Sequence, residues 1–330
     1  MNNKVIYRSL CETHKEIPIF MQAWWLDAAS KENWDVIFAK INDEIAGFFV
    51  FSFQKKLGKT IITNLPLTQF SGPFIFYPQN LSQSDIHSFE NKVYINLIEQ
   101  LSLKSIDFIE INCHHSFKNH QQFFWNGYKQ TTKYTYILEN ISDREALLKE
   151  MSYSQRGKRI KKAKDDFYFS LELSAEDFYD FYKENLKRKE KTIFYSKDYF
   201  LKLYHATKER NQGQIISIYN NKEKELLAAL WNIWDSEYAY NMIITSDQNK
   251  KCSESTTLLI WETLNFLKGK TKHYDFEGSM IKGVALTNQS YGATAVPYHC
   301  ISKSNSILMS AWKSLQEYKN QKNIEKTSLK

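Results

Sequence analysis

Apolar residues occur along the chain in short runs separated by polar turns, and the order of these runs repeats. Residues 34–41 and 45–51 are two apolar runs joined by an Asn-Asp turn, a pattern that predicts a β-hairpin. Residues 214–219 and 226–234 predict a second hairpin of the same kind. In each hairpin, two small residues stand near the start of the second strand. The pattern therefore predicts two halves built on one plan.

The elements that follow each hairpin also correspond. A helix with an apolar period near 3.6 is predicted in both halves, over 89–101 and 258–267. The further strands are predicted at 60–64, 106–111 and 134–138 in the first half, and at 238–244, 273–277 and 297–301 in the second. Short strands that alternate with helices predict an α/β (α+β) fold, in which helices pack on the faces of a sheet.

The junction between the halves is predicted near residues 145–165. Residues 144–164 have the pattern of a helix, and 178–191 and 196–209 predict two more helices. We therefore predict an N-terminal domain over 1–145 and a C-terminal domain over 146–330. The C-terminal domain is expected to open with a basic helix at 151–164.

Composition narrows the class of protein. Apolar residues make up 42% and charged residues 25% of the 330, which is ordinary for a soluble globular protein. The longest apolar run, 45–51, is far shorter than the roughly 20 residues that cross a bilayer. The N-terminal residues lack the apolar core of a secretory signal. The four cysteines are scattered, so we expect no disulfide framework and a reducing, cytoplasmic location.

One cluster has side chains that could bind a metal. Cys113, His114 and His115 are consecutive, and His120 follows five residues later. A structural zinc site normally needs two spaced pairs of ligands, and no second pair follows this one. We interpret the cluster as a strand end and a loop, and we predict no metal site.

Positive charge is concentrated near the junction between the halves. The chain carries 44 basic and 37 acidic residues, a net charge of +7. Within 151–164 there are six basic residues and no acidic one, among them Arg156, Arg159 and Lys162. Such a stretch is either a site for phosphate or an RNA backbone, or a solvated helix face. The sequence leaves both alternatives open.

Three strings of residues, together with the repeated order of elements, resemble a known family. They are Leu-Pro-Leu-Thr-Gln-Phe-Ser-Gly-Pro at 65–73, Gln-Arg-Gly-Lys-Arg-Ile-Lys-Lys-Ala at 155–163, and Tyr-Asp-Phe-Glu-Gly-Ser-Met at 274–280. The chain resembles the FemAB-like superfamily, which is built from two tandem GNAT acyltransferase domains. Its best-known members add amino acids to peptidoglycan precursors. The long helical arm of those ligases has no room in this chain.

The resemblance implies a fold and a function. Each domain should be a mixed, mostly antiparallel sheet flanked by helices. The protein should be an acyltransferase that moves an acyl or aminoacyl group to an amine by direct attack in the cleft between the domains. Acyl-CoA or aminoacyl-tRNA would be a co-substrate, and no tightly bound cofactor is expected. The acceptor would be a small molecule or a cell-envelope precursor, and tRNA and a membrane surface are further candidate partners.

The donor side is expected near the turn at 247–257. This turn contains no glycine, and Glu254 would oppose a phosphate, which argues against a conventional acetyl-CoA loop. Ser255 and Thr256 are predicted to precede a helix that begins at Thr257, and to offer hydroxyl and N–H groups. The donor's phosphates would also bind Arg156, Arg159 and Lys162.

The acceptor side is expected on the strand 273–277. Asp275 and Glu277 alternate on it, so their side chains should share one face. We predict that Glu277 binds or deprotonates the amine, that Asp275 orients it, and that Ser279 hydrogen-bonds the substrate. A solvated edge strand would carry the same pair without any function.

Further candidates follow from their positions. Lys303 is the nearest match to a lysine that is thought to aid transfer in Fem ligases, so it is a third catalytic candidate. The remaining candidates for binding substrate are Gln69, Arg188, Tyr240 and Tyr298.

A second class of function also fits the sequence. The chain could be a non-catalytic protein of GNAT fold that uses its basic helix to bind RNA or an anionic surface. The glycine-free turn favours this alternative, whereas the paired carboxylates favour an enzyme.

Overall fold

The computed structural model describes residues 2–152, 154, 160, 163, 165–247, 249–250, 253–278 and 280–328. The chain forms two compact units of discontinuous segments. Unit 1 comprises Met1–Tyr7, Asn33–Thr132 and Tyr298–Lys330, and unit 2 comprises Arg8–Glu32 and Lys133–Pro297. This division differs from the contiguous domains 1–145 and 146–330 that the sequence predicted.

The helices and strands are numbered here in chain order. The α-helices are α1 (Asn3–Thr13), α2 (Ala23–Ser30), α3 (Gln83–Ser102), α4 (Gln121–Trp125), α5 (Arg144–Glu150), α6 (Ala175–Arg188), α7 (Lys197–Lys208), α8 (Ser253–Leu267), α9 (Lys282–Ser290) and α10 (Ile307–Ser328). The strands are β1 (Trp34–Ile41), β2 (Glu44–Lys56), β3 (Lys59–Thr63), β4 (Gly72–Ile75), β5 (Phe108–Asn112), β6 (Lys129–Leu138), β7 (Phe167–Ser170), β8 (Gly213–Asn220), β9 (Leu226–Trp234), β10 (Tyr238–Ser246), β11 (His273–Asp275) and β12 (Thr294–Ser304).

Unit 1 is a mixed sheet covered by helix α3. Strands β1, β2 and β3 are antiparallel, β3 and β5 are parallel, and β5 pairs antiparallel with β12. Strand β4 pairs with the first part of β2. The predicted apolar stripe of α3 is confirmed, since Val93, Leu97 and Leu101 are buried in one core with sheet residues such as Phe49 and Ile109.

Unit 2 repeats the plan of unit 1. Strands β7 to β10 pair antiparallel in order, β10 and β11 are parallel, and β11 pairs antiparallel with β6. Helix α8 packs against this sheet through Leu258, Leu259 and Leu264, which share a core with Leu230 and Tyr274. The predicted fold class, a mixed and mostly antiparallel sheet flanked by helices, is confirmed in each unit.

The last strand of each unit comes from the other half of the sequence. The sequence predicted that residues 134–138 complete the first sheet and 297–301 the second. Instead β12 lies beside β5, with Ile301 opposite Ile111, and β6 lies beside β11, with Ile137 opposite Asp275. The two strands have similar apolar patterns, so the sequence pattern could not tell which sheet each one joins. This exchange is why the units are discontinuous.

Three predicted boundaries near the candidate site residues were wrong. Helix α5 ends at Glu150, because Met151 is extended (φ −61°, ψ 143°), so no single helix spans 144–164. Most of the predicted basic helix at 151–164 lies outside the described residues. Helix α8 begins at Ser253, not at Thr257, and strand β11 ends at Asp275, not at Glu277. No helix among the described residues has the length and apolarity needed to cross a membrane.

Candidate active site

The candidate site lies in unit 2, where the short strand β11 ends beside its parallel neighbour β10. Strand β11 is only three residues long and pairs with the first half of β10, so that Tyr240 stands opposite Asp275. Ligands of α/β sheets usually bind outside the carboxyl ends of parallel strands. The chain leaves β11 at this edge and carries Glu277 with it.

Asp275 is a buried carboxylate with two donors on one oxygen. Its side chain is 2% exposed. Its Oδ1 accepts a hydrogen bond from the Thr135 hydroxyl on β6 and another from the Glu277 backbone N–H at 2.8 Å. Hydrogen bonds of this charge-assisted kind are stronger than neutral ones. Asp275 therefore fixes the backbone at Glu277.

Glu277 has an unusual backbone conformation. Its φ is +60°, in the left-handed region, which non-glycine residues rarely adopt. Such a conformation costs on the order of 1 kcal/mol or more, and persists where surrounding contacts fix it. The hydrogen bond to Asp275 is one such contact. The sequence predicted that the two carboxylates share a face by alternating along one strand. The strand ends at Asp275, however, and the backbone N–H of Glu277 is connected to the Asp275 carboxylate by this hydrogen bond.

The environment of Glu277 favours its protonated form. Its side chain is half-buried, and desolvation raises the pKa of its carboxyl well above the usual 4.5. The negative charge of Asp275 raises this pKa further. Desolvation is the larger cause, as expected for a carboxyl removed from water. Burial and the charge of Asp275 thus both favour a proton on Glu277.

Three tyrosine hydroxyls lie close enough to Glu277 for its charge to raise their pKa values. Tyr240 is fully buried on β10, with its ring 4.8 Å from that of Phe20. Burial is the main cause that raises the pKa values of Tyr195, Tyr240 and Tyr274, and Glu277 contributes to all three shifts. These hydroxyls therefore stay protonated at neutral pH and can act as hydrogen-bond donors.

The loop between α6 and α7 places Tyr195 near Glu277. Ser174 and Ser196 cap the two helices by accepting from the N–H groups of Asp177 and Tyr199. Within this frame the Tyr179 hydroxyl donates to the Tyr195 backbone oxygen at 3.1 Å. The Tyr195 hydroxyl itself is buried, and a hydrogen bond with the Tyr182 hydroxyl is among the causes that raise its pKa. A hydroxyl can rotate, so Tyr195 could turn its proton toward a bound substrate.

A cavity of about 670 Å³ lies against α6 and the same loop. Tyr179 lines it, so the cavity adjoins the residue that supports Tyr195. Its charged lining consists of Lys183, Lys187 and Lys191 with Asp180 and Glu184. The cavity is large enough for a small substrate and has a slight excess of positive charge.

The structure brings together three of the predicted site residues, Asp275, Glu277 and Tyr240. Three others belong to unit 1. Lys303 lies on β12 and donates to the Asn126 backbone oxygen at 2.9 Å, Tyr298 is half-buried on the same strand, and Gln69 lies in the loop before β4. The Gln69 side-chain oxygen is buried, without a hydrogen-bond partner among the described residues.

The remaining predicted residues have other surroundings or are not described. Arg188 forms an ion pair with Asp247 at 3.2 Å, which connects the end of α6 to the end of β10. Ser255 is 1% exposed in the first turn of α8, so it offers no surface to a donor, while Thr256 beside it is half-buried. The other four lie outside the described residues: Arg156, Arg159, Lys162 and Ser279.

Sequence reasoning missed Thr135 and Tyr195. Thr135 was read only as part of a strand in the first half, and the exchange of β6 brings it to Asp275. Tyr195 lies 82 residues before Glu277 in a loop that carries no motif. The aromatic residues of α6 at 178, 179, 181 and 182 were a local signal of an aromatic face on that helix.

Comparisons with known proteins agree with this fold. No protein-family model matches the sequence, and neither does any curated protein sequence. The solved structure of FemX is similar, with a TM-score of 0.65 at 11% identity over 90% of this chain and 95% of that one. L-PGS from Bacillus licheniformis gives a TM-score of 0.54 at 11% identity, over 92% and 94% of the two chains. A conserved protein of unknown function from Bacteroides thetaiotaomicron gives 0.52 at 12% identity, over 90% and 96%. At these identities the likeness is one of fold, and the fold is similar to that of FemX.

Proposed function

We propose that this protein is an acyltransferase that moves an acyl or aminoacyl group from an activated donor to an amine. The observation that carries the proposal is the Asp275–Glu277 pair, in which a desolvated glutamate with a raised pKa is fixed at φ +60° beside a buried aspartate. The likeness of the fold to FemX supports the same reaction class.

Glu277 would act as the general base. In the reaction, the amine nitrogen attacks the carbonyl carbon of the donor and loses a proton to Glu277 as the new amide bond forms. The C–S bond of an acyl-CoA, or the C–O bond of an aminoacyl-tRNA, breaks, and the CoA thiol or the tRNA hydroxyl leaves with a proton. A base accepts a proton best when its pKa lies near the working pH, which is the direction of the shift at Glu277. Asp275 is a positioning residue, since it holds the Glu277 N–H and adds negative charge beside the carboxyl.

The tyrosine hydroxyls would stabilise charge on the reacting carbonyl. As the amine adds, the carbonyl oxygen becomes negative and needs hydrogen-bond donors that are already in place. Tyr195 is the strongest candidate, because its hydroxyl is buried and lies close enough to Glu277 for the carboxylate to raise its pKa. The phenol would donate to that oxygen.

The donor is proposed to be an aminoacyl-tRNA or an acyl-CoA, bound as a co-substrate. Both carry phosphate, and the lysines of the cavity along α6 would contact it. The acceptor amine is proposed to belong to a small molecule or a cell-envelope precursor, and the reaction to take place in the cytoplasm.

The test combines binding and turnover. Native mass spectrometry of the full chain with acetyl-CoA, longer acyl-CoAs and charged tRNA identifies the donor that binds. Transfer from that donor to a panel of amines is then measured for wild type, Glu277→Gln and Glu172→Gln. Glu172 is exposed in the same unit and serves as the matched control.

We expect Glu277→Gln to lower kcat by about 100-fold or more, since general-base catalysis typically contributes that much. Binding of the donor should be unchanged, and Glu172→Gln should behave as wild type. A Glu277→Gln rate within about twofold of wild type would exclude Glu277 as the base. Failure to bind any donor would favour the non-catalytic binding protein instead.

A further inference from the structure

Unit 1 contains a small cavity with an unusual lining. Its volume is about 250 Å³, and it lies where β5, β6 and β12 meet the first turns of α10. The side chains that define it are Lys129, Lys303, Lys313, Ser302, Ser310 and Ser314. No carboxylate is among the described residues that line it. The proposed transfer reaction uses none of these residues.

The lysines of the cavity outnumber the carboxylates that the described residues place against them. Lys313 forms an ion pair with Glu110 on β5. Lys303 uses one of its three N–H donors on the Asn126 backbone oxygen at 2.9 Å, and Lys129 is exposed and forms no ion pair with a described residue. Like charges that share a concave surface raise the local potential and attract an anion. The charges of Lys313 and Glu110 cancel, and Lys129 and Lys303 contribute two further positive charges to this surface.

The serine hydroxyls of the cavity could donate hydrogen bonds to an anion that has several oxygen atoms. Ser310 donates to the Ser304 hydroxyl at 2.9 Å, and Ser314 donates to the Ser310 backbone oxygen at 3.1 Å. A hydroxyl rotates freely about its C–O bond, so each can turn its proton toward a bound anion. Together with ammonium groups, these donors match the several oxygens of a phosphate.

We propose that this cavity binds a phosphate group, as a phosphate monoester or a pyrophosphate. Its volume is below the roughly 300–1,000 Å³ of cavities that enclose a drug-sized molecule, so it would hold the phosphate while the rest of the ligand extends into solvent. The serines and lysines come from two strands, β6 and β12, and one helix, α10, which fixes the donors in space.

Isothermal titration calorimetry on the full chain tests the proposal. Inorganic pyrophosphate is titrated into wild type, Lys129→Ala, Ser310→Ala and Lys92→Ala, in a buffer without phosphate or sulfate. Lys92 is an exposed lysine on α3 of the same unit and does not line the cavity, so it is the matched control. Vesicles that contain phosphatidylglycerol provide a second arm, which distinguishes a lipid headgroup from a free phosphate.

We expect saturable binding that Lys129→Ala weakens about tenfold, as the loss of one charge-assisted hydrogen bond predicts. Ser310→Ala should weaken it several-fold, and Lys92→Ala should leave it unchanged. Binding to vesicles that also depends on Lys129 would support the proposed site and show that the phosphate it binds belongs to a lipid headgroup. Equal effects of Lys129→Ala and Lys92→Ala, or no saturable binding in either arm, would overturn the proposal. Thermal unfolding of each variant shows whether the fold is kept.

Discussion

The hydrogen bonds of Asp275 make a prediction that needs no knowledge of the substrate. Asp275→Ala removes the acceptor of two donors, the Thr135 hydroxyl and the Glu277 N–H. Asp275→Asn removes the charge but keeps an oxygen at the same position. An unsatisfied buried donor costs about 1–3 kcal/mol. Thr135 is 2% exposed, whereas water can reach the half-buried Glu277, so we expect the Ala variant to be less stable than the Asn variant by about 2–4 kcal/mol.

Urea unfolding followed by tryptophan fluorescence measures this difference, and a common m-value shows that the two variants expose similar surface. Thr135→Val supplies the coupling control. It removes one of the two donors, so it should cost little in the Asp275→Ala background and more in wild type. A difference below about 0.5 kcal/mol between the Ala and Asn variants would refute the reasoning, because satisfied and unsatisfied donors would then be equivalent.

Three further predictions concern stability. Burial raises the pKa of Glu277, so the folded state keeps this proton to a higher pH than the unfolded state does. The free energy of unfolding of wild type should therefore fall, relative to that of Glu277→Gln, as the pH rises from 4.5 through the folded pKa. A difference between the two proteins that is constant across a pH series would contradict this. Gly292→Ala should destabilise the chain by about 1–3 kcal/mol in thermal unfolding, because Gly292 has φ +87° and an added Cβ would lie 2.8 Å from that of Glu150. Gly213→Ala should cost a similar amount, and adding Thr207→Ala should restore only part of it, since the Thr207 Cβ would remain 2.6 Å away.

Local pattern predicted most elements of the fold because it reflects which side chains are buried. The hairpin of β1 and β2 and the stripe on α3 were read correctly from apolar spacing alone. Strand partners are different, since pairing depends on residues far apart in sequence. The sequence pattern therefore could not predict the exchange of β6 and β12, or the division into units that follows from it.

The candidate site was predicted in part for the same reason. The carboxylates of Asp275 and Glu277 are close in sequence, so their spacing identified them, although it gave the wrong geometry. Thr135 and Tyr195 reach the site through the exchanged strand and a distant loop, and no local pattern marks them. The backbone of Glu277 was also unpredictable, because a φ of +60° at a glutamate contradicts the local preference of that residue type.

The repeated plan gives a reason to place the chemistry in unit 2. In both units a carboxylate occupies the same position of the strand that follows the main helix, with Glu110 opposite Thr63 on β3 and Asp275 opposite Tyr240 on β10. In unit 1 the strand continues regularly to Asn112, and Glu110 forms an ion pair with Lys313. In unit 2 the strand stops at Asp275, and the chain turns through the strained Glu277. Departures from regular local structure are often found at functional sites, so this difference between two copies of one design supports the proposal that the reaction takes place in unit 2.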